Sequence, residues 1–358
     1  MIASFPALRF LNSFLVFAHH ENTINNPFLV ALGPCAVSFF FILSGFGISL
    51  GYYQKALLSG FSWKDFVVKR IIRIYPLHLL GLAFWYLLNY KTIQRTGGGQ
   101  ALKLIGTVLL LQSWIPKMSF YFYGNAVSWF LCDLLFFYIV FPFAVRIACE
   151  KSRAAVFSCA LVLLYLLALP FLNDGYIHAF LYINPLFRFL DFWLGILLYK
   201  LYKKMRMKVS EPLVSPDAEI KAVIAQSVSI FLIVASIFLY SEAPEVARYQ
   251  SLFWIPNAFL LISFSVFDKL GIARLLNHRL FAWLGSISFS FYMLHFLGIS
   301  ISNIVLSKFF GELNDVPRTC IQFVFVLAGS AIVHFFFEEP VAKKLKMSKI
   351  FLAEKNDS

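Results

Sequence analysis

The chain has 358 residues, 60% of them hydrophobic, with a mean hydropathy of +0.76 and a formal net charge of +13. A soluble globular domain is about 45–50% apolar, and the longest polar stretch, Lys203 to Ala222, is too short to bury a core of its own, so a soluble fold is excluded. The basic residues lie in short loops between apolar blocks, which points to orientation in a bilayer rather than to a nucleic-acid partner.

Apolar blocks fall at 5–20, 28–53, 74–90, 101–115, 126–147, 154–172, 182–200, 222–240, 251–267, 281–300 and 319–337. Each is read as a helix. Loop charge decides which of them cross. With a cytoplasmic N-terminus and no crossing at 101–115, the inside loops and termini hold 23 of the Lys and Arg residues and the outside loops 8. If 101–115 crossed, every later loop would change sides and the bias would collapse. The expected fold is therefore all-α: a polytopic transmembrane bundle of ten spanning helices, one short re-entrant or surface segment near 101–115, and both termini cytoplasmic. Gly97, Gly98 and Gly99 supply a turn before that segment. The domain reading is one transmembrane domain over 1–340 and a short basic cytoplasmic tail over 341–358. Arg9 interrupts the first apolar run and no small-residue cleavage site follows, so this segment is expected to be retained. No internal repeat is visible, which weighs mildly against a secondary transporter.

Ionisable groups inside membrane helices are costly and usually functional or paired. In the first block, eleven residues separate Arg9 from His20. That is three full helical turns plus roughly 20°, so both lie on one face, about 16 Å apart along the axis, with His19 about 80° off that face. A cation at one end and an imidazole at the other suit a long anionic donor. The plainer reading makes Arg9 a positive-inside anchor and His20 a loop-edge residue. Ser44 and Gly45 in the second block permit close helix approach, or are simply packing. Arg70 and Arg73 share a helix face and could hold phosphates bidentately, or anchor lipid headgroups. Arg188 and Asp191, also three apart, form an intramembrane pair of opposite charge.

At this point the sequence resembles the acyltransferase-3 family of bacterial membrane O-acyltransferases. The Arg-x10-His spacing falls on Arg9 and His20, the FFxxSG element on Phe40, Phe41, Ser44 and Gly45, and the Arg-x-x-Arg element with its Tyr-Pro on Arg70, Arg73, Tyr75 and Pro76. Ser128 to Leu131 resembles the Trp-centred fifth segment, Phe187 to Tyr199 the Arg…acid-Phe…Gly segment, and Ser288 to His295 and Glu338-Glu339-Pro340 the last two signatures. Each motif is weak alone; seven in order are strong. Many members carry a Glu shortly after that Trp, whereas here the nearest acid is Asp133, four after Trp129.

The resemblance implies transfer of an acyl group, acetyl first, from cytoplasmic acyl-CoA to a hydroxyl of a cell-surface glycan, an exopolysaccharide or its lipid-linked precursor, in the cytoplasmic (inner) membrane. It implies His20 as catalytic residue, by direct deprotonation of the acceptor or through an acyl-histidine, and Arg9, Arg70 and Arg73 as ligands of the donor phosphates. Ser44, Gly45, Tyr75, Trp129, Asp133, Arg188, Asp191 and His295 are expected to support the site, Arg188 and Asp191 as a structural ion pair with acceptor binding as the sharper alternative, and His295 equally as a hydrogen-bonded core residue. Acetyl-CoA is a co-substrate; no resident cofactor and no metal are expected. The five cysteines, at 35, 132, 149, 159 and 320, form no CxxC or metal spacing, and His78, His178, His278 and His334 show none either. Membrane lipids are the other expected partner, and composition assigns no oligomeric state. The rival classes are a glycan or glycolipid exporter and a non-catalytic component of a polysaccharide-synthesis complex.

Overall fold

The computed structural model describes residues 2–21, 26–95, 99–208, 216–309, 311 and 314–356. Among them no strand occurs. The long helices are α1 (Phe5–His20), α2 (Pro27–Tyr52), α3 (Trp63–Arg95), α4 (Gln100–Val108), α5 (Trp129–Ala148), α6 (Lys151–Ala168), α7 (Pro185–Lys208), α8 (Pro216–Phe238), α9 (Ser251–Val266), α10 (Arg279–Phe309), α11 (Asp315–Val333) and α12 (Glu339–Asn356). Single π-helical turns at His178–Ile183 and His334–Glu338 precede α7 and α12.

Local chemistry sets the starts. Proline occupies the first position of α2, α7 and α8, where its missing N–H is no loss. The side chains of Asn26, Ser62 and Asn184 accept hydrogen bonds from Phe28 N, Asp65 N and Leu186 N, at 2.9, 3.2 and 3.0 Å.

Nine helical stretches among the described residues are long and apolar enough to cross a membrane, and the 16-residue α1 falls short of that length. This is a multi-pass membrane bundle. The apolar block at 101–115 does not continue as one helix. α4 ends at Val108, Leu110 takes a left-handed φ of 55°, and a short 3₁₀ turn follows at Gln112–Trp114. Nine residues of helix span only about 14 Å, half a hydrocarbon core of about 30 Å. Of the expected glycine turn, Gly99 has a φ of 90°, while Gly97 and Gly98 lie outside the described residues. Where a basic tail is expected over 341–358, helix α12 runs to Asn356.

The chain forms two compact units, residues 1–61 with 140–288 and residues 62–139 with 289–358; two of the boundaries fall inside α5 and α10 and the third between α2 and α3. In the first unit α2 is the most enclosed helix and α6 the most exposed. α2 lies directly against α7. A methyl group added at Gly45 would stand 2.1 Å from Phe192 O, and one at Gly195 would stand 2.1 Å from Ile42 O. Backbone touches backbone at both positions, so neither tolerates a side chain. The start of α1 is pinned too: Ala3 N and Ser4 N both donate to the Asp268 carboxylate at 3.0 Å, and Pro6 leaves no room for a Cβ at Gly285. In the second unit the 100–128 segment is stitched to its neighbours. His78 Nε2 donates to Thr107 O at 2.9 Å, Asn125 Nδ2 to Met293 O at 2.7 Å, and Ser113 Oγ to Trp129 O at 3.0 Å.

Candidate active site

In the first unit, α1 is continuous from Phe5 to His20, so Arg9 and His20 do share a helix face. Buried Asn12 and Ser13 turn their side chains to the carbonyls of Leu8 and Arg9. His20 is exposed, and its Nδ1 lies 2.9 Å from Val16 O. A carbonyl can only accept, so Nδ1 carries the proton and the basic lone pair of the neutral ring is on Nε2. That is the tautomer a general base needs. His19 serves packing instead. Its ring fills the space over Gly33, where a Cβ would lie 2.8 Å from it, and meets the His20 ring edge-on at 4.9 Å.

Ser44 turns its hydroxyl to Phe40 O at 2.7 Å, an intrahelical bond, while Gly45 makes the α2–α7 contact, so this element supports the helix pair. Arg188 and Asp191 are both fully buried and form the expected pair, Nη2 to Oδ2, at 3.1 Å. Asp191 Oδ1 accepts from Ser38 Oγ at 2.8 Å and from Trp254 Nε1 at 2.7 Å, and Arg188 Nη1 donates to Tyr249 O at 2.9 Å. The guanidinium lies over the rings of Phe41 and Tyr182, 4.9 and 5.7 Å from their centres. Ser38, Trp254, Tyr249 and Tyr182 are the pair's unforeseen partners.

In the second unit, Arg70 is half-buried over the Phe66 ring at 5.1 Å, and Arg73 is exposed one helical turn on. Both guanidiniums act electrostatically on the Tyr138 hydroxyl of α5. Tyr75 is half-buried and edge-on to His78 at 5.9 Å. Trp129 and Asp133 are buried one turn apart on α5. A chain of rings runs from Trp129 through Phe130 and Tyr292 to His295, with centre distances of 6.3, 5.1 and 5.8 Å. The fully buried His295 holds Tyr292 O with Nδ1 at 2.6 Å, which gives it a hydrogen-bonded core setting. Glu338 receives Ser290 Oγ at 2.6 Å and pairs with His334 Nδ1 at 2.9 Å, so it belongs to an internal cluster beside α10, while Glu339 pairs with Lys343. Among the described residues no group of three His, Cys, Asp or Glu side chains converges as a metal site.

A family profile for an acyltransferase domain matches residues 2–335. Acyltransferase MdmB of Streptomyces mycarofaciens is 26% identical over 327 residues, covering 83% of this chain and 79% of its own. No solved structure matches.

Proposed function

The chain belongs to the acyltransferase-3 family and is an acyltransferase, and from that premise we propose that it moves an acetyl group from cytoplasmic acetyl-CoA to a hydroxyl of a cell-surface glycan or its lipid-linked precursor, at the cytoplasmic membrane. The observation that carries this reading is the α1 face: Arg9 and His20 on one helix, with the His20 lone pair directed to Nε2 by Val16 O. His20 takes the acceptor proton as the thioester is attacked, or accepts the acyl group itself. Arg70 and Arg73, on one face of α3, bind the donor's phosphates.

The test is transfer of radiolabel from acetyl-CoA into the glycan fraction of membranes. Loss of either phosphate ligand removes charge-assisted bonds of about 1.5–3 kcal/mol. Arg70→Gln and Arg73→Gln are therefore expected to raise KM for acetyl-CoA by roughly 10- to 100-fold with a smaller change in kcat. An unchanged KM in both variants would remove these residues from the donor site. Label absent in wild-type membranes that contain the host glycan would direct the reading to another acyl donor and then to the exporter.

Both termini are proposed to be cytoplasmic. Single cysteines near positions 60, 206 and 274 should label from the inside, and those near 174 and 245 from the outside. The pattern reverses for 206 and 274 if the 101–115 region crosses.

A further inference from the structure

The first unit holds a second constellation that the transfer chemistry does not use. Gln250 is fully buried at the start of α9, does not cap the helix, and makes no hydrogen bond of full geometry; the polar group within its reach is the Tyr165 hydroxyl. The Tyr165 hydroxyl, which donates to Val246 O at 3.0 Å, lies beside this amide and feels the charges of Arg188 and Asp191. Arg188 Nε is buried without a partner. Three half-buried rings adjoin Arg188. His178 lies 5.2 Å from Tyr182 and 5.4 Å from Tyr249, and the two tyrosines are 5.6 Å apart. His178 and Tyr182 sit in a π-helical turn, a feature that recurs at functional sites. The loop that delivers Tyr249 and Gln250 is fixed in advance: Arg248 Nε and Nη2 donate to Ala243 O and Ser241 O at 2.8 and 2.7 Å.

The loop that carries Tyr249 and Gln250 is packed near the His20 end of α1. Leu15 and Ala18 of α1 pack with Leu29 and Leu32 of α2 against Tyr240 and Phe253, which bracket that loop. Ser38, the Asp191 partner, is five residues beyond Gly33, the residue on which His19 packs, or about 7.5 Å along α2.

We propose that Gln250 and Arg188, walled by Tyr182, Tyr249 and His178, form the subsite that docks a neutral pyranose ring of the acceptor. The proposal rests on the acyltransferase reading for its role in catalysis. An amide presents two donors and an acceptor, which suits adjacent sugar hydroxyls, and flat rings suit the C–H face of a pyranose. The charge of Arg188 is already answered by Asp191, so a charged sugar gains nothing from it.

The experiment is saturation-transfer NMR on the full-length protein in nanodiscs, with methyl β-glucopyranoside as neutral probe and methyl β-glucuronoside as anionic probe. Transfer to the neutral probe is expected in wild type and in His20→Ala, and about fivefold less in Gln250→Leu and Tyr182→Ala. Gln250→Leu should melt within a few degrees of wild type, because the amide's polar neighbour, the Tyr165 hydroxyl, keeps its bond to Val246 O. Equal transfer in Gln250→Leu and wild type would overturn the proposal. So would preference for the anionic probe, no transfer to the neutral probe in wild type, or a melting temperature for Gln250→Leu lower by more than a few degrees. Acyl transfer from acetyl-CoA, measured on the same samples, separates the two readings. Its absence in wild type with sugar binding intact would remove the enzymatic role and leave the subsite.

Discussion

His20→Ala is expected to lower acyl transfer by roughly three orders of magnitude, in the range for loss of a positioned general base, while His19→Ala stays within about tenfold of wild type. The two residues are adjacent, and only geometry distinguishes them. Val16 O takes the Nδ1 proton of His20 and so assigns the basic lone pair to Nε2. The ring of His19 is turned onto Gly33, with Nδ1 3.4 Å from Leu29 O. Removing it loosens the edge contact to the His20 ring but leaves the base in place. The comparison is made on membranes with matched protein amounts, by label transferred from acetyl-CoA. Equal losses in the two variants would mean that this end of α1 acts through packing and that the base lies elsewhere. Asn at position 20, which preserves a polar side chain without a basic lone pair, should be as inactive as Ala.

The second large effect concerns stability. Asp191→Ala is expected to cost about 3–5 kcal/mol, because it leaves the Arg188 guanidinium buried without its counter-charge. The carboxylate also holds Ser38 of α2 and Trp254 of α9, so the loss is felt on three helices of the unit. Against a total stability of about 5–15 kcal/mol, that is enough to lower the yield of folded protein in detergent sharply. The double variant Arg188→Met with Asp191→Leu should recover most of the loss, since apolar replacement of a buried pair is often neutral. Thermal melting followed by size-exclusion chromatography reads both. A melting temperature for Asp191→Ala within a few degrees of wild type would show that the pair is solvated and has no such structural role. Recovery of folding in the double variant without recovery of transfer would tie Arg188 to the acceptor as well as to the fold.

Hydropathy carried most of the architecture. Apart from 101–115, the apolar blocks coincide with helices because a bilayer accepts no other backbone with its polar groups satisfied inside one segment. What it missed were the polar ends. The block at 74–90 belongs to a helix that begins at Trp63, since Lys64, Asp65, Lys69, Arg70 and Arg73 form its first turns without adding to an apolar average. The arithmetic of helix faces carried Arg9 with His20 and Arg188 with Asp191, because those relations are local. It could not reach Ser38 or Trp254, 153 and 63 residues from Asp191 along the chain. Gly195 lay inside a recognised motif, yet its mutual fit with Gly45 depends on how two helices meet. Gln250 carried no pattern at all: a single amide at a loop edge becomes informative only once its burial is seen. The two-unit division left little mark in composition, since two of its three boundaries fall within the continuous apolar helices α5 and α10.

The π turn at His334–Glu338 has a bearing on chain length. A π turn accommodates one residue more than the α-helix it interrupts. Every side chain of α12 is therefore rotated by about 100° from the direction an unbroken continuation of α11 would give it. This extra residue sets the phase of the C-terminal helix, much as a shim sets the angle of a shaft. Within the turn Glu338 meets His334, four residues back, and Ser290 of α10. The segment is thus sensitive to the count of its residues as well as to their identity, and relatives that differ there by a single insertion or deletion would present a different face of the same terminal sequence.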